Sequence, residues 1–261
     1  MTLAFRSVVA GSEDCRHAAQ TRLAASVDIV DFAAGRRIGL TSRKSQRGPE
    51  GQLVDWLLEE LPFEVPRACQ ATIFREPRLD SGFPDLVVVV WHPPTMRTWV
   101  EARCRLMPGD LRLLQYLVTH GPAAEVSLKA LFGGRSLRAA LNRLEEGALV
   151  RPSGSRWIAR SLQKSFAVRN IIAIEAKVAD WQRAVQQAYL NTWFTAESYV
   201  LLPEAGKGHP LRATARKLGI GVVTKAQGLV RQPRTGGNLP RSYASWLFNE
   251  WAWRASLRRS Q

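Results

Sequence analysis

From Pro49 onward, apolar residues recur at three- and four-residue spacing (Leu53, Trp56, Leu57, Leu58, Leu61). That period predicts an amphipathic helix, with the proline suited to its first turn. Two strand-like runs follow, Ala68 to Arg75 and Phe83 to Trp91. The second (FPDLVVVVW) is the most β-prone stretch of the chain and is long enough for a buried central strand. His92-Pro93-Pro94 breaks it, and a short strand is expected at Thr98 to Cys104. The opening stretch, Met1 to Gly48, carries a possible strand at Val27 to Phe32 and a basic run around Arg43 to Arg47, and reads as peripheral.

From Pro108 to Arg160 the periodicity changes. Leu111, Leu114, Leu117 and Val118 share one helical face, Ser127 opens a short helix through Phe132, and Leu137, Leu141 and Leu144 line a third helix. Ala148 to Arg160 then reads as a hairpin turning at Ser153-Gly154-Ser155. Three helices followed by a hairpin are the layout of a winged helix. Beyond this insert, strand and helix patterns alternate: Asn170 to Lys177, Ala179 to Trp193, Ser198 to Pro203, Leu211 to Leu218 and Ile220 to Thr224, with Gly219 where a helix should stop. Such alternation implies an α/β protein with a mixed sheet flanked by helices. The expected domains are a peripheral segment 1–48, a discontinuous core 49–105 and 163–230, an insert 106–162 and a basic C-terminal helical tail 231–261. Trp246, Leu247, Trp253 and Leu257 form the tail's docking face.

Charge changes this picture. With 37 Lys and Arg against 22 Asp and Glu, the formal net charge is +15, a field that attracts polyanions, so nucleic acid is the expected partner. No apolar run is long enough to span a bilayer, and Met1 to Ala10 lack the core of a secretory signal, so a cytoplasmic protein with no membrane partner is expected. Cys15, Cys69 and Cys104, like His17, His92, His120 and His209, are scattered without zinc-ligand spacing. Hydrolytic chemistry here must therefore rest on carboxylates and lysine, which favours a hard ion such as Mg²⁺, with Mn²⁺ as substitute.

Pro84-Asp85 opens one strand, and Glu175-Ala176-Lys177 closes another. Residues at i and i+2 of a strand point the same way, so Glu175 and Lys177 are expected to share a face. In these residues the chain resembles the PD-(D/E)xK, or restriction-endonuclease-like, superfamily over roughly Pro49 to Cys104 and Ser165 to Gln227. The resemblance implies that Asp85 and Glu175 hold Mg²⁺ and that Lys177 positions or activates the attacking water. It also implies that Glu50, or failing that Glu59, adds a further metal ligand and that Gln187 on the following helix assists. The long separation of Asp85 from Glu175 departs from the family's usual short hairpin, and the winged-helix insert accounts for it. Glu101-Ala102-Arg103 lies at the usual distance, but its arginine cannot act as a base.

On the insert's third helix, Arg135, Arg138 and Asn142 lie opposite the leucine stripe, where a recognition helix presents side chains to the major groove. Arg151, Arg156 and Arg160 belong to the wing, and Arg183 follows the Glu-Ala-Lys triplet as a phosphate contact. The expected function is a Mg²⁺-dependent DNA endonuclease. The alternative is a non-catalytic DNA-binding regulator or recruitment factor on a nuclease-like scaffold. A homodimer or a larger defence, repair or mobile-element complex fits either.

Overall fold

A computed structural model describes residues 27–44, 48–60, 65–206, 208–234 and 236–259. These form an α/β structure that divides into two compact units, one made of the described residues up to 91 with those of 169–239, the other of residues 92–168 with the described residues from 240 onward. Cys15 and His17 lie outside the described residues, as do 45–47 of the basic run and Leu61 of the first expected helix. None of the described helices is long and apolar enough to cross a membrane.

The first unit is built on a seven-stranded mixed sheet in the order β1-β2-β3-β7-β8-β9-β10. The strands are β1 (Val27–Val30), β2 (Gln70–Arg75), β3 (Leu86–Trp91), β7 (Val168–Ala176), β8 (Glu197–Leu202), β9 (Gly221–Thr224) and β10 (Gly228–Arg231). β7, β8 and β9 are mutually parallel, whereas β2 and β3 run antiparallel, as do β9 and β10. Strand alternation divides the core between the two faces. Helix α2 (Pro49–Glu60) lays Leu53, Val54 and Leu57 against Ile172, Ile174, Tyr199 and Leu201. On the other face, α8 (Trp181–Asn191) and α9 (Pro210–Leu218) cover Val200, Leu202 and Val222. Gly221 makes room for the Tyr199 ring on the α2 face, because a Cβ there would lie 2.3 Å from that ring. Gly219 ends α9 in the left-handed conformation, φ 74°, as its position in the sequence predicts.

Two expectations for this unit are corrected. Residues 27–44 are not peripheral: β1 pairs in parallel with β2, and Val30, Ile38 and Leu40 are buried. The expected strand through Phe32 stops at Val30, because Asp31 caps helix α1 (Phe32–Arg37) by accepting a 2.8 Å hydrogen bond from the Ala34 amide. β10 has no counterpart in the sequence reading, since its four residues are only half-buried and carry no clear alternation.

The second unit contains α3 (Pro93–Met96), a 3-10 helix at Glu101–Arg105, α4 (Pro108–His120), α5 (Glu125–Phe132) and α6 (Gly134–Glu146). It also holds α7 (Leu162–Ser165), α10 (Tyr243–Arg259) and a small antiparallel sheet in the order β4-β6-β5. The sheet joins β4 (Ala123–Ala124), β5 (Val150–Ser153) and β6 (Arg156–Ala159). Leu137, Leu141 and Leu144 are buried as their spacing predicts, and so is Trp157 of the hairpin. The strand expected at Thr98 to Cys104 is replaced by the 3-10 helix, which carries Arg103 into a buried ion pair with Glu250. The C-terminal helix, expected as a separate tail from 231, belongs to this unit and is buried all round from Ala244 to Trp253.

Candidate active site

The sheet order places β3 beside β7, so the start of one strand meets the end of the other. Asp85 directly precedes β3, and its carboxylate accepts a 2.7 Å hydrogen bond from the Ala176 amide at the end of β7. Ile174 and Ala176 point into the core beneath α2, so Glu175 between them is directed to the α8 face. There it accepts a 2.6 Å hydrogen bond from the Asn191 side chain. Sequence reasoning missed Asn191. Its available signal was a polar residue in register with Ala184 and Ala188, on a helical face that is otherwise buried.

Lys177 lies one residue beyond the strand, where the alternation that predicts a shared face with Glu175 has already ended. Its ammonium group donates to Glu50 at the start of α2, at 3.0 Å, and to the Ala176 carbonyl, also at 3.0 Å. Glu50, expected as a metal ligand, is thus engaged with the lysine, while Glu59 stands exposed on the same helix. Gln187 lies one turn before Asn191 on α8, and its side-chain oxygen is buried without a hydrogen-bond partner.

Burial sets the electrostatics. Glu175 is almost wholly buried, and removal from water, followed by the nearby Asp85 charge, pushes its carboxyl up to about 8. The Asn191 hydrogen bond and the charges of Lys177 and Arg43 act in the opposite direction. Asp85 is also raised, chiefly by burial and also by the charges of Glu50 and Glu76. The Ala176 amide and Lys177 oppose this. Two carboxyl groups raised by burial therefore share one end of the sheet, the Asp85 charge further disfavours ionisation of Glu175, and one of the Glu175 oxygens has no hydrogen-bond partner.

Such a site suits a hard cation. Its donors are all oxygens, one of them is buried and unpartnered, and both carboxyl groups are raised chiefly by burial, with neighbouring negative charge adding to it. Among the described residues, however, no group of three or more His, Cys, Asp or Glu side chains forms a ready-made cage. The donor set is the Asp85 and Glu175 pair, with Glu50 held by Lys177.

The raised Glu175 carboxyl predicts a pH dependence of stability. Its ordinary value is 4.5 and its folded value about 8, so the folded protein binds this proton more tightly than the unfolded chain. The resulting stability is complete below the unfolded value and is lost as pH rises toward the folded value. Glu175→Gln keeps an acceptor for Asn191 and removes the titration. In metal-free buffer, thermal melts from pH 5 to pH 9 should show wild type losing stability relative to this variant, on the order of a few kcal/mol. Parallel curves would show that Glu175 is not held protonated.

The rival triplet at Glu101 lies in the second unit, where Arg103 is consumed by Glu250. In that unit Arg138 and Asn142 are exposed on α6, although Arg138 pairs with Glu125 at 2.7 Å. Arg135 lies on the same helix, and its side chain is outside the described residues. Arg151, Arg156 and Arg160 are exposed along the hairpin, and Arg183 is exposed on α8 of the first unit. No protein-family model, curated protein or solved structure matches the chain.

Proposed function

We propose that this chain is a Mg²⁺-dependent DNA endonuclease in which a restriction-endonuclease-like sheet carries the site and a winged-helix insert binds duplex DNA. The observation that carries this reading is the pairing of Asp85 and Glu175 at adjoining strand ends, both with raised carboxyl groups and one with a buried, unpartnered oxygen. Asp85 and Glu175 would hold the ion, Mg²⁺ or Mn²⁺. Bound there, it supplies Lewis-acid stabilisation of the charge that develops on the phosphodiester and acidifies a water.

The chain's own groups do the rest. Asn191 fixes the orientation of Glu175 through one oxygen and leaves the other available. The Ala176 amide fixes Asp85 in the same way. Lys177, attached to the end of a buried strand, brings an ammonium group to the edge of the acidic pair. There it orients the nucleophile and offsets negative charge once Glu50 releases it. Exposed arginines of the insert and the formal charge of +15 supply phosphate contacts.

Supercoiled plasmid incubated with the protein in Mg²⁺ should be nicked or linearised, and EDTA should leave it intact. Asp85→Ala should abolish cleavage while DNA binding, followed by anisotropy of a labelled duplex, stays largely unchanged. Intact plasmid in both Mg²⁺ and Mn²⁺ would overturn the nuclease reading. One observation favours a second reading, a non-catalytic regulator or recruitment factor: Lys177 is paired with Glu50, and among the described residues no third acid completes a metal-binding group with Asp85 and Glu175. For such a protein, plasmid stays intact with or without Asp85. Either reading accommodates a homodimer or a larger complex.

A further inference from the structure

The segment 41–43, part of the stretch that reads as peripheral, forms a short ribbon with residues 76–78 next to Asp85. Ser42 bridges antiparallel to Pro77. The Arg43 amide donates to the Glu76 carbonyl at 3.0 Å, and the Arg78 amide donates to the Thr41 carbonyl at 2.8 Å. Glu76 in turn donates its amide to the Asp85 carbonyl at 3.1 Å, so one residue ties the ribbon to the acidic pair. That residue holds φ at 46°, a left-handed conformation that costs a non-glycine residue free energy and persists where its surroundings over-determine it.

The side chains repeat this linkage. The Glu76 carboxylate is nearly buried and takes the Nε side of the Arg43 guanidinium, while the Arg43 side chain is 44% exposed. Among the described residues the two terminal nitrogens of Arg43 have no hydrogen-bond partner. The guanidinium carbon sits 5.4 Å from the centre of the Phe83 ring, within cation–π range, two residues before Asp85. Arg43, Lys44 and Arg78 are all exposed, so the ribbon is a cationic rim beside two buried acids. An anion with only one acceptor edge gains little from such a rim. A phosphodiester presents two non-bridging oxygens that the planar fork can engage together.

We propose that this ribbon is the phosphate-binding wall of the Asp85 and Glu175 site, with the Arg43 guanidinium as its direct ligand for a nucleic-acid phosphodiester. The proposal rests on the nuclease reading for its catalytic meaning, but its binding component can be measured without cleavage. Removing Arg43 alone would strand a nearly buried carboxylate, so the Arg43→Ala/Glu76→Ala double variant is the appropriate test.

The full chain in EDTA is titrated with a fluorescein-labelled DNA duplex over a series of NaCl concentrations, with folding checked by circular dichroism. The double variant should bind more weakly, and its slope of log affinity against log salt should be shallower than wild type by about 0.9, one phosphate contact. Equal slopes overturn the proposal whether or not the wild type cleaves. A shallower slope for a wild type that never cleaves retains the wall and removes the nuclease reading. Arg43→Lys keeps the charge and a partner for Glu76, so it should keep the wild-type slope yet lose at least about tenfold in kcat/KM for plasmid cleavage. A merely structural pair would not produce that split, and Arg43→Lys cleaving at the wild-type rate would overturn the role of the fork.

Discussion

Lys177→Ala is expected to slow Mg²⁺-dependent plasmid cleavage by about 10²–10⁴-fold, the usual cost of removing a positioned proton-transfer or charge-stabilising group. The lysine occupies a position that no neighbouring residue can fill. Its backbone continues from the buried end of a strand, its amide donates to the Leu201 carbonyl at 3.0 Å, and its ammonium group lies between Glu50 and the Ala176 carbonyl. Stability should change little: the Lys177 side chain is 13% exposed, but the Glu50 carboxylate it leaves is 48% exposed and solvated, and a pair with so exposed a partner is worth about 0–1 kcal/mol. Loss of activity with an unchanged melting temperature would therefore separate chemistry from folding. Lys177→Arg should not rescue the rate, since a guanidinium keeps the charge but cannot give up its proton. If Lys177→Ala cleaves as fast as wild type, the lysine has no part in the reaction.

The second large effect lies in the other unit and concerns stability alone. Glu250→Ala should destabilise that unit by about 3–5 kcal/mol, because it leaves a charged group buried without its partner. Arg103 and Glu250 are each about 1% exposed. The guanidinium donates from Nε to Glu250 at 3.0 Å and from Nη2 to the Ser165 carbonyl at 3.0 Å, and it lies over the Trp99 ring at 3.4 Å. Glu250 also accepts from Asn249 at 3.0 Å. The network is thus satisfied as a whole and fails when one member is removed. Replacing both partners with leucine should restore much of the loss, since the costs of burying two charges disappear together. Urea titrations of the single and double variants decide the point. A Glu250→Ala midpoint equal to that of wild type would mean that the pair is not buried in solution.

The periodic parts of the fold were legible from residues alone. The leucine spacing of α2 announces one buried face, while the largely apolar runs of β3, β7 and β8 announce strands buried on both faces. Thr98 to Cys104 misled for the opposite reason. Its strand-forming residues are overridden by Arg103, whose partner Glu250 is remote in sequence and invisible to a local pattern. The peripheral reading of residues 27–44 failed similarly, since four residues of edge strand gain their stability from pairing with β2 rather than from their own periodicity.

For the candidate site, the sequence by itself determined which residue types stand at the strand ends: Asp85 before an apolar run, and Glu175 and Lys177 at the close of another. It also determined the strong positive charge and the helical and strand character of the long periodic segments. Only the tertiary structure decided that β3 and β7 are neighbours, that Glu175 turns toward Asn191 while Lys177 reaches Glu50, and that Arg43 and Glu76 stand beside Asp85. The physical reason is that alternation and helical period are local properties of the chain. Strand order, and the burial that lifts two carboxyl groups together, arise from contacts between residues far apart along it.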